Sequence, residues 1–583
     1  MNGDENKRQS GKRPKKRKFT GNVHTRCLVE NVPEAKKRNS ASGKKIALSS
    51  DEIILTDTDF YGYSIVDLNL IFTCFQNYLC CKICGSDVTF KEEVVTGLST
   101  KISVQCENCN ELCTNRNSKM LGNKKNIPEI NRRFMYAFRA LGLGHAAMKL
   151  FCGLMDLPKP VSQKSYDTMT QRLLSCTEEI SHSSKQCAAK EEVKATGSAD
   201  IIISGDGTWK TRGHTSRVGI CTIIGDKTGK IIDTEVLSSY CKSCDTWKGK
   251  SGTEQDKNWV KHHEKECHVN HTGSAGKMEV VGMKRIFERS KSLYDARYTS
   301  YIGDGDTKTF LAVSQSFPYG PDFEIKKIEC VGHIQKRMGT RLRKLKSSGI
   351  KCSDGKSVGG KGRLTDRLID KLTVYYGNAI RESKNSLSEM RKAIWAIYFH
   401  TRSSDTEPLH NFCPTGPDSW CKYQKSLCEG SLNVFKHGKS LPAPVMDVIK
   451  PIFNDLSHPK LLSRCLGGKT QNANESFNSL VWKICPKTQY CGKRIVEIAT
   501  NEATVLYNEG NIGRIKIMET FGLKIGLRAI NFLKKLDERR IAKAELQYLQ
   551  STKEARKAKR RSEKVAQENF TIEEGPMYAA GGF

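Results

Sequence analysis

Two short apolar runs in this chain each lead straight into an Asp-Gly pair: ADIIISGDGTW at 199–209 and YTSYIGDGD at 298–306. An ionised carboxylate beside an apolar strand costs free energy unless something partners it. The segments around the two runs narrow the fold further. RVGICTII and KIIDTEVLSSY, joined by the turn signal GDKTGK, predict two more strands, so that three consecutive antiparallel strands begin at 198. MEVVGMKRIFERSKSLY has helical spacing, YTSYIGDGD reads as a fourth strand, TKTFLAVSQSF as a helix and IKKIECVG as a fifth strand.

Three strands, a helix, a strand, a helix and a strand is the order of an RNase H-like core. The expected class is therefore α/β, a mixed five-stranded sheet with helices. That fold places one Asp mid-sheet on the first strand, a second at the end of the fourth and a third acid on a later helix. Asp206 and Asp304 occupy the first two places. Asp306, two residues on, competes with Asp304. Enzymes of this fold hold two magnesium ions about 3.5–4 Å apart, and magnesium prefers hard carboxylate oxygens. The competing reading is that each Asp-Gly merely opens a turn.

The charge fits a DNA partner. Lys and Arg number 96 against 63 Asp and Glu, a net +33 over 583 residues. An excess of that size calls for a polyanion, and phosphate contacts with counterion release supply one. A membrane surface is the rival, but no apolar run approaches the roughly 20 residues of a span. The first residues, MNGDENKRQS, show no apolar signal core. The 23 cysteines are therefore expected in a reducing compartment, where clustered Cys and His bind metal. KRPKKRK at 12–18 has the composition of a nuclear-import signal, and the expected location is the nucleus.

Composition and periodicity divide the chain into a disordered basic tail at 1–50, a zinc-ribbon-like domain at 51–120 and a helical domain at 125–195. The α/β core follows at 198–346, with a Cys/His insertion at 241–271. A helical insertion is expected at 347–465, a further helical region at 466–515 and a charged helical or disordered tail at 516–583.

Cys81-x2-Cys84 and Cys106-x2-Cys109 have the spacing of two zinc knuckles at the ends of a hairpin, with Cys80 and Cys113 able to substitute. A second zinc candidate is Cys241, Cys244 and Cys267 with one histidine; His271 is taken, and His263 is equally placed. His400, His410, Cys413 and Cys421 form a looser third set, equally readable as buried cysteines and surface histidines. Lys336, Arg337, Arg341, Arg343, Lys344 and Lys346 follow the fifth strand on one presumed helix. They read as a solvated face or as contacts to a DNA backbone, which position a duplex without reading its sequence.

GDGTW, GSAGKMEVVGMKRIF, YIGDGDTKTF, ECVGHIQKR and TQNANESFN together resemble the Mutator-like transposase family of animal genomes, across roughly 60–510. The resemblance implies a D-D-E core of RNase H type, interrupted by a helical insertion before the last acid. It implies Asp206 and Asp304 as the first two acids, Glu475 of NANESFN as the third, and Cys330 and His333 as a Cys-x2-His element. Asn472, Asn474 and Asn478 would lie near Glu475 on helical faces. No Cys-x-Cys…Cys-x-His zinc module of the plant Mutator kind occurs near the C-terminus. The implied activity is metal-dependent DNA nicking and strand transfer at element ends, with Mg2+ or Mn2+ at the acids and Zn2+ at the Cys/His clusters. The expected partners are terminal-repeat and target DNA and further copies of the chain, a homo-oligomer on DNA, with no membrane. The alternatives are a domesticated, non-catalytic DNA- or chromatin-binding nuclear protein and a cellular RNase H-like nuclease.

Overall fold

Every residue of VGICTIIG (218–225) is buried in the computed structural model, so this strand lies at the middle of a layered core. The structure describes residues 40–46, 62–109, 111–121, 127–211, 215–247, 254–304, 307–438, 440–549, 551–556, 558 and 562. The KRPKKRK cluster, most of the basic tail and Asp306 lie outside the described residues. The chain divides into two compact units, residues 45–540 and the terminal segments 1–44 with 541–583.

Three strands near the N-terminus, β1 (Val88–Thr96), β2 (Ser99–Cys106) and β3 (Leu112–Arg116), form a small antiparallel sheet after helix α1 (Leu68–Tyr78). Its buried apolar set is only Cys81, Val88 and Cys106, too little to hold a sheet by burial alone. Helices α2 (Glu129–Ala140), α3 (His145–Leu154) and α4 (Gln163–Thr196) follow. The periodicity of NRRFMYAFRALGLGHAAMKLFCGLMDLP (131–158) predicts one helix that runs until Pro158 and Pro160 stop it. The structure splits it at Gly142, whose φ of +78° an L-residue rarely adopts and whose missing Cβ leaves room for Pro486. These helices do not pack on their own: Met135, Tyr136, Leu173 and their neighbours share a core with Ile498, Val505 and Phe521.

The main sheet runs β8-β7-β4-β5-β6 in space, from β4 (Asp200–Trp209), β5 (Val218–Gly225), β6 (Ile231–Ser238), β7 (Arg297–Gly303) and β8 (Lys326–Glu329). β4, β5 and β6 pair antiparallel, whereas β7 lies parallel to both β4 and β8. The five strands expected from the sequence are present in the expected chain order. Short helices α5 (Lys242–Trp247) and α6 (Glu254–His263) fill the insertion, and α7 (Ala275–Tyr294) and α8 (Thr307–Gln315) provide the crossovers.

Alternation along the strands decides which helix covers which face. Ile201, Ile203 and Ile223 bury against Met278, Met283, Ile286 and Phe287 of α7. Val218, Ile220, Ile224 and Ile231 bury instead against α13 (Asn472–Ile484) and α14 (Lys493–Glu509), through Phe477, Val481, Ala503 and Leu506. Between β8 and α13 lie α9 (Val331–Ser347), α10 (Asp366–Glu382), α11 (Leu387–Arg402) and α12 (Ala443–Leu456). Ile334, Met338 and Leu342 of α9 anchor a separate helical core with Ile369, Tyr376, Ile394 and Phe453. Among the described residues, no helix is long and apolar enough to cross a membrane.

Candidate carboxylate and metal centres

The GDG of 205–207 is not a turn, because β4 continues through it to Trp209. Its glycines are needed on one face. A Cβ on Gly205 would lie 2.3 Å from Tyr301 Cε2, and one on Gly207 would lie 2.9 Å from Glu279 Oε2. Asp206 points to the other face, where α13 runs along the strand. Ser204 donates to Asn474 Oδ1 (2.7 Å), Asn478 donates to Asp206 Oδ2 (2.8 Å), and Trp482 donates to Thr208 Oγ1 (2.9 Å). Every fourth helical residue meets every second strand residue because about 6 Å of helix matches about 6.6 Å of strand.

Asp304 follows the last residue of β7. Ser204 pairs with Ile302 in the parallel register, so Asp206 on β4 and Asp304 just past the end of the adjacent β7 stand two residues beyond the last matched pair. Burial pushes the Asp206 carboxyl up to about 6, opposed by the Asn478 bond, the Gly207 amide and the His333 charge. The neighbouring Asp304 charge adds to the rise.

Glu475 sits in the first turn of α13, exposed. It lies about 60° around the helix from Asn478. Gln471, one turn earlier, donates to the Gly205 carbonyl (2.6 Å). Glu475 is thus flanked by the two residues that tie the helix to 205–206. Gln471 and Asn478 have a second feature that the sequence does not signal. Among the described residues, their carboxamide oxygens Oε1 and Oδ1 are buried and accept no hydrogen bond.

Cys330 joins the end of β8 to this place. Its amide donates to the Gly303 carbonyl (3.3 Å), and its sulfur accepts from the Gln471 amide (3.4 Å). Burial alone would raise the Cys330 thiol, but the His333 side chain and the amides of 333 and 471 outweigh it and lower it. His333 is raised by its bond to Cys330, with burial opposing and the charges of Cys330 and Asp304 assisting.

The basic helix is less bare than its sequence suggests. Arg337 meets Glu329 (3.4 Å), Arg341 meets Asp455 (2.9 Å), and Arg343 pairs with Asp370. Lys346 meets Asp366 (2.7 Å). The Arg341, Arg343 and Lys346 pairs are exposed and contribute only about 0–1 kcal/mol, so a phosphate can displace them, whereas the Glu329 that holds Arg337 is buried. Lys336 and Lys344 share the same helix.

Three Cys/His sets bring their ligand atoms within 4.8 Å of one another among the described residues, and each could hold a metal such as zinc. The carboxylates of Asp206, Asp304 and Glu475 are not gathered that closely. In the first set, Cys81–Cys109, Cys84–Cys106 and Cys84–Cys109 stand at 3.6, 3.4 and 3.7 Å. Sulfurs about 2.3 Å from one zinc ion would stand about 3.8 Å apart. Cys80 and Cys113 are exposed and outside this set.

The second set corrects the sequence expectation. His263, not His271, stands with Cys241, Cys244 and Cys267, its Nε2 3.4 Å from Cys241 and 3.2 Å from Cys244. His263 stacks on Trp259, which stacks on Trp247, and the Trp247 indole donates to Asp256 (2.7 Å). His271 is buried where α7 begins, its Nε2 3.2 Å from the Ser274 carbonyl. The third set is His400, His410, Cys413 and Cys421.

No curated protein and no solved structure matches the chain. The family model of the Mutator-like transposases matches residues 62–421. The match spans Asp206, Asp304 and all three Cys/His sets and stops before Glu475. With most of its length so matched, this chain belongs to the Mutator-like transposase family.

Proposed function

We propose that the chain is a metal-dependent D-D-E transposase that nicks DNA at element ends and transfers the freed strand, with Asp206, Asp304 and Glu475 as its acids. The main support is the register of α13 on β4, which puts Glu475 between the residues that grip 205–206. The strand order β8-β7-β4-β5-β6 supports an RNase H-like reading of the sheet. Magnesium or manganese fits the donors: hard carboxylate oxygens, with the bondless oxygens of Gln471 and Asn478 alongside. Bound there, such ions supply an activated water or 3′-hydroxyl and offset charge on the leaving oxygen.

The chain's own residues fix the geometry. β4 holds Asp206 rigidly, and the Asn478 amide fixes one of its oxygens. Cys330 ties the strand end beside Asp304 to the start of the helix bearing Glu475. In this reading Lys336, Arg337, Arg341, Arg343 and Lys344 contact DNA phosphates, Arg341 and Arg343 by exchanging their exposed carboxylate partners. The same reading makes DNA the partner, a homo-oligomer the working form and the nucleus the compartment.

One observation favours the second reading, a domesticated DNA- or chromatin-binding protein: the three carboxylates are less tightly gathered than the Cys/His sets. Cutting of terminal-repeat DNA with magnesium or manganese separates the two. Asp206→Asn, Asp304→Asn and Glu475→Gln are each expected to slow cutting at least about a hundredfold. Unimpaired cutting by these variants sinks the assignment. Salt-dependent DNA binding by the wild type without nicking favours the second reading.

A further inference from the structure

The segment 403–438 has little to hold it in place. It contains one seven-residue helix, Lys422–Cys428, and one 3-10 turn, Leu432–Val434. Its buried apolar residues, Cys413 and Cys421, pack with Ala396 of α11 in a small set apart from the helical core beside it. Yet it is folded tightly against the C-terminal turns of α11. At the centre of this packing stand His400 from α11, and His410, Cys413 and Cys421 from the segment itself.

The four donor atoms face one another at the spacing a single tetrahedral ion requires. Cys413 Sγ lies 3.7 Å from both His400 Nδ1 and His410 Nδ1. Cys421 Sγ lies 3.6 Å from His400 Nδ1 and 3.4 Å from His410 Nδ1. Zinc–sulfur bonds of about 2.3 Å and zinc–nitrogen bonds of about 2.0–2.1 Å give nitrogen–sulfur edges of about 3.5–3.6 Å.

A hydrogen-bond chain independently sets the proton on His410. The Asp405 carboxylate accepts from the His437 amide (2.8 Å) and lies 2.7 Å from His437 Nδ1, so that nitrogen carries the proton. A neutral His437 then has a bare Nε2. That atom lies 2.8 Å from His410 Nε2, which must be the donor. Ser403 Oγ stands beside both, 2.8 Å from His410 Nε2 and 3.0 Å from His437 Nε2. With its proton on Nε2, His410 presents the Nδ1 lone pair to the two sulfurs. A carboxylate relayed through an imidazole onto the far nitrogen of a second imidazole is an outer shell that orients a metal ligand. A merely packed histidine needs no such fixed tautomer.

We propose that His400, His410, Cys413 and Cys421 bind a structural zinc ion that holds 403–438 on α11, with His437 and Asp405 as its outer relay. A closed four-ligand Cys2His2 set leaves no open position, so the ion's role is folding rather than catalysis.

Zinc counting by mass spectrometry on the purified full chain tests this. Cys421→Ser is expected to carry one zinc per chain fewer than the wild type. An unchanged count overturns the proposal, as does a Cys413–Cys421 disulfide in the wild type. Should Cys421→Ser fail to fold, Asp405→Asn decides. Asp405 is an exposed side chain that leaves all four ligands in place. One zinc should then be lost to a chelator at a 10–100-fold lower chelator concentration than in the wild type. Chelation identical to the wild type overturns the proposal.

Discussion

Asp206 should be a liability to the fold whenever no cation sits beside it. Burial lifts its carboxyl from 3.8 to about 6, so the folded state holds a proton that the unfolded chain has released. The folded pKa is the higher one, so stability falls as pH rises from about 4 to 6 and is flat above about 7. At about 1.36 kcal/mol per pH unit the full effect is about 3 kcal/mol. Partial exposure and water access reduce this to about 1–2 kcal/mol. Asp206→Asn removes the charge and keeps the shape. In protein dialysed free of magnesium, without chelator so that Cys/His sites stay loaded, the variant should melt about 2 °C higher at pH 7.5. The gap should close towards pH 4. Added magnesium should raise the wild-type melting temperature and leave the variant unmoved. A variant less stable than the wild type at pH 7.5, or a gap independent of pH, refutes the reasoning.

Gly205→Ala forces a Cβ to within 2.3 Å of the Tyr301 ring and should cost about 1–3 kcal/mol by denaturant titration. Asn478→Ala removes the amide that fixes Asp206 and should lower the cutting rate about tenfold or more, with overall folding by circular dichroism unchanged. His263→Ala should release the zinc of the second Cys/His set, whereas His271→Ala should keep it, both read by metal content. DNA affinity should fall steeply with salt, and Lys336→Ala with Lys344→Ala should make the log–log slope shallower by about 2.

The sheet was legible because each strand carries its own signal: β-branched runs, a turn between β5 and β6, and helical spacing before β7 and before β8. Asp206 was legible because an apolar strand delivers it. Its glycines were misleading, since Asp-Gly is a turn signal, and only the Tyr301 ring and Glu279 carboxylate on the far face explain them. Gln471 was not found in advance, and Asn478 was placed near Glu475 only as one of three asparagines, without its grip on Asp206. Their importance arises from a match of helix rise to strand rise across more than 260 residues of chain. The His263–His271 choice failed for a related reason: spacing allows either, and stacking on Trp259 decides. The family resemblance supplied Glu475, which no local pattern distinguishes from a solvated helical face.

In the proposed mechanism one cation site draws on the sheet and on α13 together. Iron(II) placed at such a site cleaves the backbone beside it when peroxide and ascorbate are added, with no need for the cognate DNA. Mapping the fragments of zinc-loaded protein should give cuts near 206, 304 and 475, all suppressed by excess magnesium and all lost in Asp206→Asn. Cuts near 206 and 304 without one near 475, or no magnesium-sensitive cuts at all, would contradict the shared site.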